Sequence, residues 1–338
     1  MAVLGTNLNY TYDGVLTTDV IVKPTLTTPA LQVFFPNFQT GIKSSWQLGK
    51  VESLRGIVRA RTGCGNTQPD NKKINVTNRT LTCSALQIYF EQCPNEFEST
   101  VYEAWLKDGN DINDIMGTDL EKLVNQLLID AGRRDVFNLA TLGDTSHANA
   151  EINSVTGMWQ LIFTGVANYC VTKVANLSGA GALADNYAIG ALQEIVEKAP
   201  RLLKGMPVAD KKIAVTDALF DNLMASYESR TSGSDSQFAL LQKGPDTFAG
   251  MPSLLYRGIQ VFAVYEWSET IETYALGNPN RILYYVPSNW YIGAERRRNI
   301  DDIGLDVWYS KDDDLTKFRT RFCFGVQFAH CMLMAVSY

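Results

Sequence analysis

Two histidines, His147 and His330, are the imidazole bases available to this chain. Acid–base or nucleophilic catalysis needs such a base within hydrogen-bond reach of its partner. A cysteine hydrolase can be drawn from Cys170 and His147, yet no local motif joins them. His330 alternates with Phe328 and Met332 and reads as a packed histidine on a strand; His147 lies in a polar turn. The six cysteines, at 64, 83, 93, 170, 323 and 331, contain no Cys-x-x-Cys pair. There is no His-x-x-x-His and no EF-hand loop, so no metal site is expected. The carboxylates Asp301, Asp302, Asp306 and Asp312–Asp314 read as solvated or ion-paired turns.

The most enzyme-like motif is Gly179-Ala-Gly181-Ala-Leu-Ala184, after the strand-like Tyr169–Val174 and before a helix. In a dinucleotide-binding fold these glycines would let pyrophosphate approach a helix N-terminus. Here Ala175–Ser178 separates the strand from the glycines, and no acidic residue ends a strand about 20 positions later. A plain loop leading into a helix is the simpler expectation. No Walker lysine motif occurs. No catalytic residue, cofactor or metal is expected.

Charge patterning carries more. Between residues 41 and 85 eight basic residues (Lys43, Lys50, Arg55, Arg59, Arg61, Lys72, Lys73, Arg79) stand against Glu52 and Asp70, a local surplus of six in a chain of net charge −6. The overall acidity argues against a dedicated nucleic-acid binder. The surplus suits contact with an acidic surface, and Asp301, Asp302, Asp306 and Asp312–Asp314 supply one. The triplet Arg296–Arg298 reads as a solvated turn or subunit salt bridge in preference to a phosphate contact.

These charges need elements to hold them. Residues 41–90 alternate as a long hairpin, with turn chemistry at Gly63–Lys73. Thr118 and Glu121 form a capping box, and Leu120, Leu123, Val124, Leu127, Leu128 and Ala131 give the stripe of a helix over Thr118–Val136. Leu192, Ile195, Val196 and Ala199 mark a helix stopped by Pro200, with Lys198, Arg201 and Lys204 at its negative end. Lys211–Val215 reads as a buried strand, Thr216 as the N-cap of a helix presenting Leu219, Leu223 and Tyr227. Gly258–Val264 and Arg281–Val286 are further strands, and Phe318, Phe322 and Phe324 alternate with Lys317, Arg319 and Arg321 on a half-exposed one. Residues 1–40, rich in Thr and Pro, read as an extended arm.

At 338 residues and 46% hydrophobic content the chain can bury a large core or two lobes. Its start lacks the basic and apolar segments of a signal peptide, and the longest apolar run, Val326–Val336, falls short of the roughly 20 residues of a membrane span. Retention in a cytoplasm, with reduced thiols, is expected. On the same footing the sequons at Asn9, Asn75 and Asn78 carry no weight.

The stretches KKIAVTDALFDNLMASY, LLYRGIQVFAVYEW and NRILYYVPSNWYIGAE resemble the major capsid proteins of tailed bacteriophages, which share the Hong Kong 97-like fold. The matching positions are Thr216, Tyr256, Gly258, Ile259, Val261, Asn280, Asn289 and Gly293, and their order over most of the chain carries the likeness. The resemblance implies an α+β fold with an N-terminal arm (1–40), an extended β-hairpin or E-loop (41–90), a peripheral domain with a long spine helix (91–140 and 296–338) and an axial domain (141–295). It implies a structural subunit, not an enzyme, that self-assembles into the pentamers and hexamers of an icosahedral head around double-stranded DNA. Expected partners are further copies of itself, a separate scaffolding protein, a portal, decoration proteins and nonspecific DNA, with no membrane; the place is the virion, after assembly in the host cytoplasm. Subunit contacts are expected from Arg55, Arg59, Arg61, Lys72, Lys73 and Arg79 to Asp312, Asp313 and Asp314. Some relatives form a Lys–Asn isopeptide crosslink; the turn Lys311–Asp314 has no asparagine, so none is expected here. An encapsulin-like compartment shell is the alternative, and an oxidoreductase using Gly179–Ala184 or a tail protein are more distant ones.

Overall fold

Proline at a first helical position loses no hydrogen bond, and Pro29 opens the short helix α1 (Pro29–Phe34). The structure, a computed structural model, describes residues 29–42, 44–51, 76–93, 119–179, 181–228, 241–242, 247–248, 250–294, 306–310, 312–313 and 315–338. Helix α1 drives Leu31, Phe34 and Phe35 into the core. Phe34 stacks on Tyr285 at 5.6 Å between ring centroids and meets Phe262 and Trp267 at 5.7 and 5.4 Å. Strand β1 (Asn37–Thr40) then pairs in parallel with residues 291–294. Residues 30–40 are thus part of the body, which corrects the arm expected over 1–40. Buried aromatics supply the surface that the Thr/Pro-rich composition concealed.

Strands β2 (Ser45–Val51) and β3 (Val76–Thr82) form an antiparallel ribbon, and β4 (Ser84–Gln92) follows after Cys83. Helix α2 (Asp119–Leu142) runs six residues beyond the expected end. Its inward line is Val124, Leu128, Gly132, Val136 and Ala140, flanked by Ile129 and Phe137. Leu127, 60% exposed, and Ala131 lie outside it, so the buried face is rotated from the one the leucines suggested. The expected capping box and the side chains of Leu120 and Leu123 lie outside the described residues.

Helix α3 (Met158–Ala167) leads to the two-residue β5 (Thr172–Lys173). Helix α4 (Tyr187–Lys198) ends before Pro200, and α5 (Arg201–Lys204) returns the Lys204 ammonium to the Glu197 carbonyl, satisfying an orphan acceptor of the last turn. After β6 (Lys212–Val215), Thr216 opens α6 (Asp217–Glu228): its carbonyl accepts the Phe220 N–H at 3.1 Å. Its hydroxyl accepts the Arg281 N–H at 3.2 Å, tying the helix start to a neighbouring strand.

Short strands β7 (Leu241–Gln242) and β8 (Thr247–Phe248) precede the hairpin of β9 (Met251–Tyr256) and β10 (Ile259–Ala263). Arg257 and Gly258, at φ 50° and 76°, make its two-residue turn, where both positions need positive φ. Helix α7 (Tyr265–Thr273) is followed by β11 (Ile282–Tyr285), β12 (Trp290–Ala294), β13 (Asp306–Ser310), the long β14 (Leu315–Phe328) and β15 (Met334–Ser337).

Two sheets result. One runs β1-β12-β14-β13 with β4 also on β14; the other runs β5-β15-β11-β6-β10-β9-β7 with β8 on β9. The second is buried on both faces: Ile213, Val215, Ile282 and Tyr284 enter a core with α4 and α6, while Ala214, Leu283, Tyr285 and Phe262 enter a core with α1, α3 and α7. That explains the unbroken apolar runs of β6, β10 and β11. The second core continues through Trp290, Ile292, Phe324 and Phe328 into the first sheet. Strand β12 belongs to the first sheet and β15 to the second, so sheet membership crosses the boundary expected at 295. His330 precedes a 3-10 turn, Cys331–Leu333, instead of continuing a strand.

Phe34→Ala is expected to cost about 3–5 kcal/mol of stability in urea unfolding. The half-exposed Phe38→Ala should cost under about 1 kcal/mol. Equal effects would contradict the anchoring of α1.

Candidate assembly surface

A two-stranded ribbon needs something to rest on, and its base here rests on a pair of glycines. Gly293 of β12 and Gly325 of β14 stand opposite each other in the ladder. A Cβ built on Gly325 would lie 2.0 Å from the Thr82 carbonyl oxygen, and one on Gly293 2.7 Å from side-chain tips of Ile42 and Leu81. The missing side chains let the ribbon base approach the sheet at backbone distance. There Ile42, Leu48 and Leu81 form a small separate core with Trp46, Cys83 and Tyr291 packed against it.

Hydrogen bonds fix the crossing. The Gln327 amide donates to the Thr80 carbonyl at 3.0 Å, the Cys83 N–H to Ser44 at 3.0 Å and the Ile42 N–H to Ala294 at 3.3 Å. Arg79 lies with its guanidinium 4.1 Å from the centroid of the Phe328 ring, and one Nη donates to the sulfurs of Cys170 (3.0 Å) and Cys331 (3.1 Å). Partial burial pulls its pKa down.

Those two cysteines form a disulfide, with Cα atoms 5.5 Å apart and 161 residues between them in sequence. This corrects the expectation of reduced thiols throughout, since the fold brings together two segments that no spacing rule connects. It also takes Cys170 out of any pairing with His147, whose Nδ1 accepts the Asn149 N–H at 3.2 Å. The backbone of His330 is instead held by Asn289, whose amide accepts its N–H at 2.7 Å and donates to its carbonyl at 2.8 Å.

Of the expected contact residues, Arg79 is engaged within its own chain as described. Asp313 binds Lys317 and accepts the Ser310 hydroxyl at 3.0 Å; both partners hold its carboxyl below the usual range. Asp312 is exposed in the same turn. Arg55, Arg59, Arg61, Lys72, Lys73 and Asp314 lie outside the described residues, as do Arg296–Arg298. The acidic residues Asp135 and Glu151 line a cavity of about 330 Å³ between α2 and β4, where the Tyr274 hydroxyl donates to Glu151 at 2.8 Å.

The glycine motif Gly179–Ala184 lies in a loop whose Ser178 and Gly179 carbonyls accept the Asn280 amide at 2.8 and 3.1 Å. The loop follows a two-residue edge strand and ends at Asn186, a left-handed N-cap without a side-chain cap bond. The Rossmann arrangement, a central strand turning directly into a helix N-terminus, is not what these residues form. Among the described residues no cluster of three His, Cys, Asp or Glu could hold a metal, and no helix is long and apolar enough to cross a membrane.

The sequence matches no protein-family model and none of the curated proteins. Solved structures do match. A chain of the satellite phage P4 procapsid, which includes the size determination (Sid) protein, superposes with a TM-score of 0.56 at 11% identity, over 95% of this chain and 90% of that one. A chain of the capsid of a native GTA particle gives 0.54 at 12% identity, over 92% and 90%. A capsid chain of cyanophage A-1(L) gives 0.52 at 13%, over 92% of each. The chain shares its fold with these capsid chains. Gly293 was among the residues that carried the resemblance; Gly325, a lone glycine within an apolar strand, was a readable sign of close backbone approach that went unused.

Gly325→Ala should destabilise by about 3 kcal/mol or more, because rigid backbone must move. Gly293→Ala, which meets flexible side-chain ends, should cost less. Urea unfolding of both variants ranks them, and the reverse order would refute the crossing geometry.

Proposed function

We propose that the chain is the shell subunit of a phage head, forming pentamers and hexamers that close into an icosahedral particle around double-stranded DNA. The observation that carries this is the agreement in fold with phage capsid chains over nine-tenths of both partners. The mechanism is repeated heterologous contact: a surface of one copy meets a different surface of the next, and rotation closes the shell. In this reading the contacts with neighbours come from residues 1–28 and 52–75. A scaffolding protein, a portal and decoration proteins complete the assembly, which takes place in the host cytoplasm.

The basic hairpin of one copy, through Arg55, Arg59, Arg61, Lys72 and Lys73, meets the acidic turn of another at Asp312 and Asp314. Arg79 and Asp313, already engaged within the chain, are left out of that pairing. Each exposed pair contributes only about 0–1 kcal/mol. Repetition over every contact of a shell still sets register and excludes wrong arrangements.

Negative-stain microscopy with sedimentation, on the chain expressed alone and together with its scaffolding protein, tests the reading. Closed shells, or rings of five and six, are expected; a small oligomer even with the scaffold would overturn it. Nucleic acid inside the shells supports a phage head, whereas enclosed enzyme would identify an encapsulin-like compartment.

The double variant Asp312→Lys/Asp314→Lys should lower the yield of closed shells while leaving Asp313–Lys317 intact. Wild-type assembly should weaken as the Debye length falls from about 10 Å at 0.1 M salt to about 3 Å at 1 M. Shell yield insensitive to both changes would remove the electrostatic pairing.

A further inference from the structure

We infer that Cys170 and Cys331, together with Arg79, form a reversible thiol–disulfide site at the base of the hairpin, taking low-molecular-weight disulfides such as oxidised glutathione as reaction partner. The two cysteines are bonded to each other, and both residues are half-buried. Tyr169, 98% exposed, and Met332, 60% exposed, adjoin them, so a small disulfide has access. One guanidinium nitrogen touches both sulfurs. A cation in that position stabilises the thiolate, the form that attacks disulfides.

The wider surroundings have the same sign. The segments that meet here, 76–86, 158–175 and 326–338, contain no aspartate or glutamate, and they carry Arg79, Lys173 and His330. Helix α5, with Arg201 and Lys204, packs against the turn that holds Cys331. The carboxylates of α4 are engaged elsewhere, Glu194 by Lys198 and Glu197 by Arg257.

The reaction balances as two exchanges. The Cys170 thiolate attacks one sulfur of the small disulfide, that S–S bond breaks, and one small thiolate leaves with the electron pair. Cys331, having lost its proton to water, then attacks the Cys170 sulfur of the mixed disulfide and releases the second thiolate. Two protein thiols are oxidised by two electrons, one small disulfide is reduced to two thiols, and the protons return to the leaving thiolates. Closure links the α3–β5 loop to the turn before β15, directly under Arg79 of the ribbon. If the chain assembles in a reducing cytoplasm, as proposed above, the site closes after release; that timing rests on the capsid reading, and the site itself does not.

Peptide mass spectrometry after quenching with an alkylating agent reads the site whether or not particles form. Reduced full-length protein exposed to oxidised glutathione should lose alkylation at Cys170 and Cys331 and yield a peptide that joins them; reduced glutathione should reopen it. Cys331→Ser should stop at a glutathione adduct on Cys170. Arg79→Gln should slow closure about threefold at neutral pH and move its pH midpoint upward, because less thiolate is present. Arg79→Lys, which keeps the charge, should restore the rate and thereby separate charge from packing on Phe328. Persistent alkylation of both cysteines, or closure equally fast and with the same pH midpoint in Arg79→Gln, would overturn the proposal.

Discussion

The seating of the β2–β3 ribbon on the body depends on one close approach, the Thr82 carbonyl lying where the side chain of residue 325 would be. A ribbon of two strands cannot support itself in water. It needs a platform, and sheet side chains normally hold a crossing strand several ångströms away. Paired glycines in adjacent strands remove that spacing over one rung. The ribbon base can then bond to the sheet through Gln327 and bury Leu81 beneath it. The direction in which β2 and β3 cross the sheet is set there.

The body itself is built to be rigid. The larger sheet is packed on both faces, and its inner core runs without a break into the smaller sheet through Trp290, Phe324 and Phe328. Helix α1 inserts Phe34 among Phe262, Trp267 and Tyr285 and so fixes the segment that leads into β1. Arg281, almost fully buried, donates to the carbonyls of Asn278 and Gly277 and lies over Trp159 and Phe163; desolvation pulls its pKa down to about 9. A buried cation held by carbonyls and ring faces requires those partners in place, which ties the segment before β11 to α3.

What was legible in the sequence follows the range of the interactions. Local devices read correctly: Pro200 ends α4, and the phenylalanines of β14 alternate with its basic residues, whereas Gly258, read as the start of a strand, belongs to the β9–β10 turn. The face of α2 was misread because leucine spacing alone does not say which side meets the core; Leu127 is a strong apolar signal on an exposed face. The anchoring of α1 was hidden because a six-residue helix is too short to show a period. The Cys170–Cys331 pair and the exchange of β12 and β15 between sheets are set by contacts between distant segments, and a linear pattern holds no record of them. The resemblance to phage capsid proteins reached the fold by another route, through the order of several weak local features along the chain.

Two charged side chains show how the described elements are held. Arg79 sits where the β2–β3 ribbon meets the body, and its guanidinium is held by Phe328 and two sulfurs. Asp313 is likewise committed to Lys317 and Ser310, whereas Asp312 beside it is exposed. In both places a charged side chain is fixed by partners of its own chain. A charged element held in this way has less conformational freedom left to lose on binding.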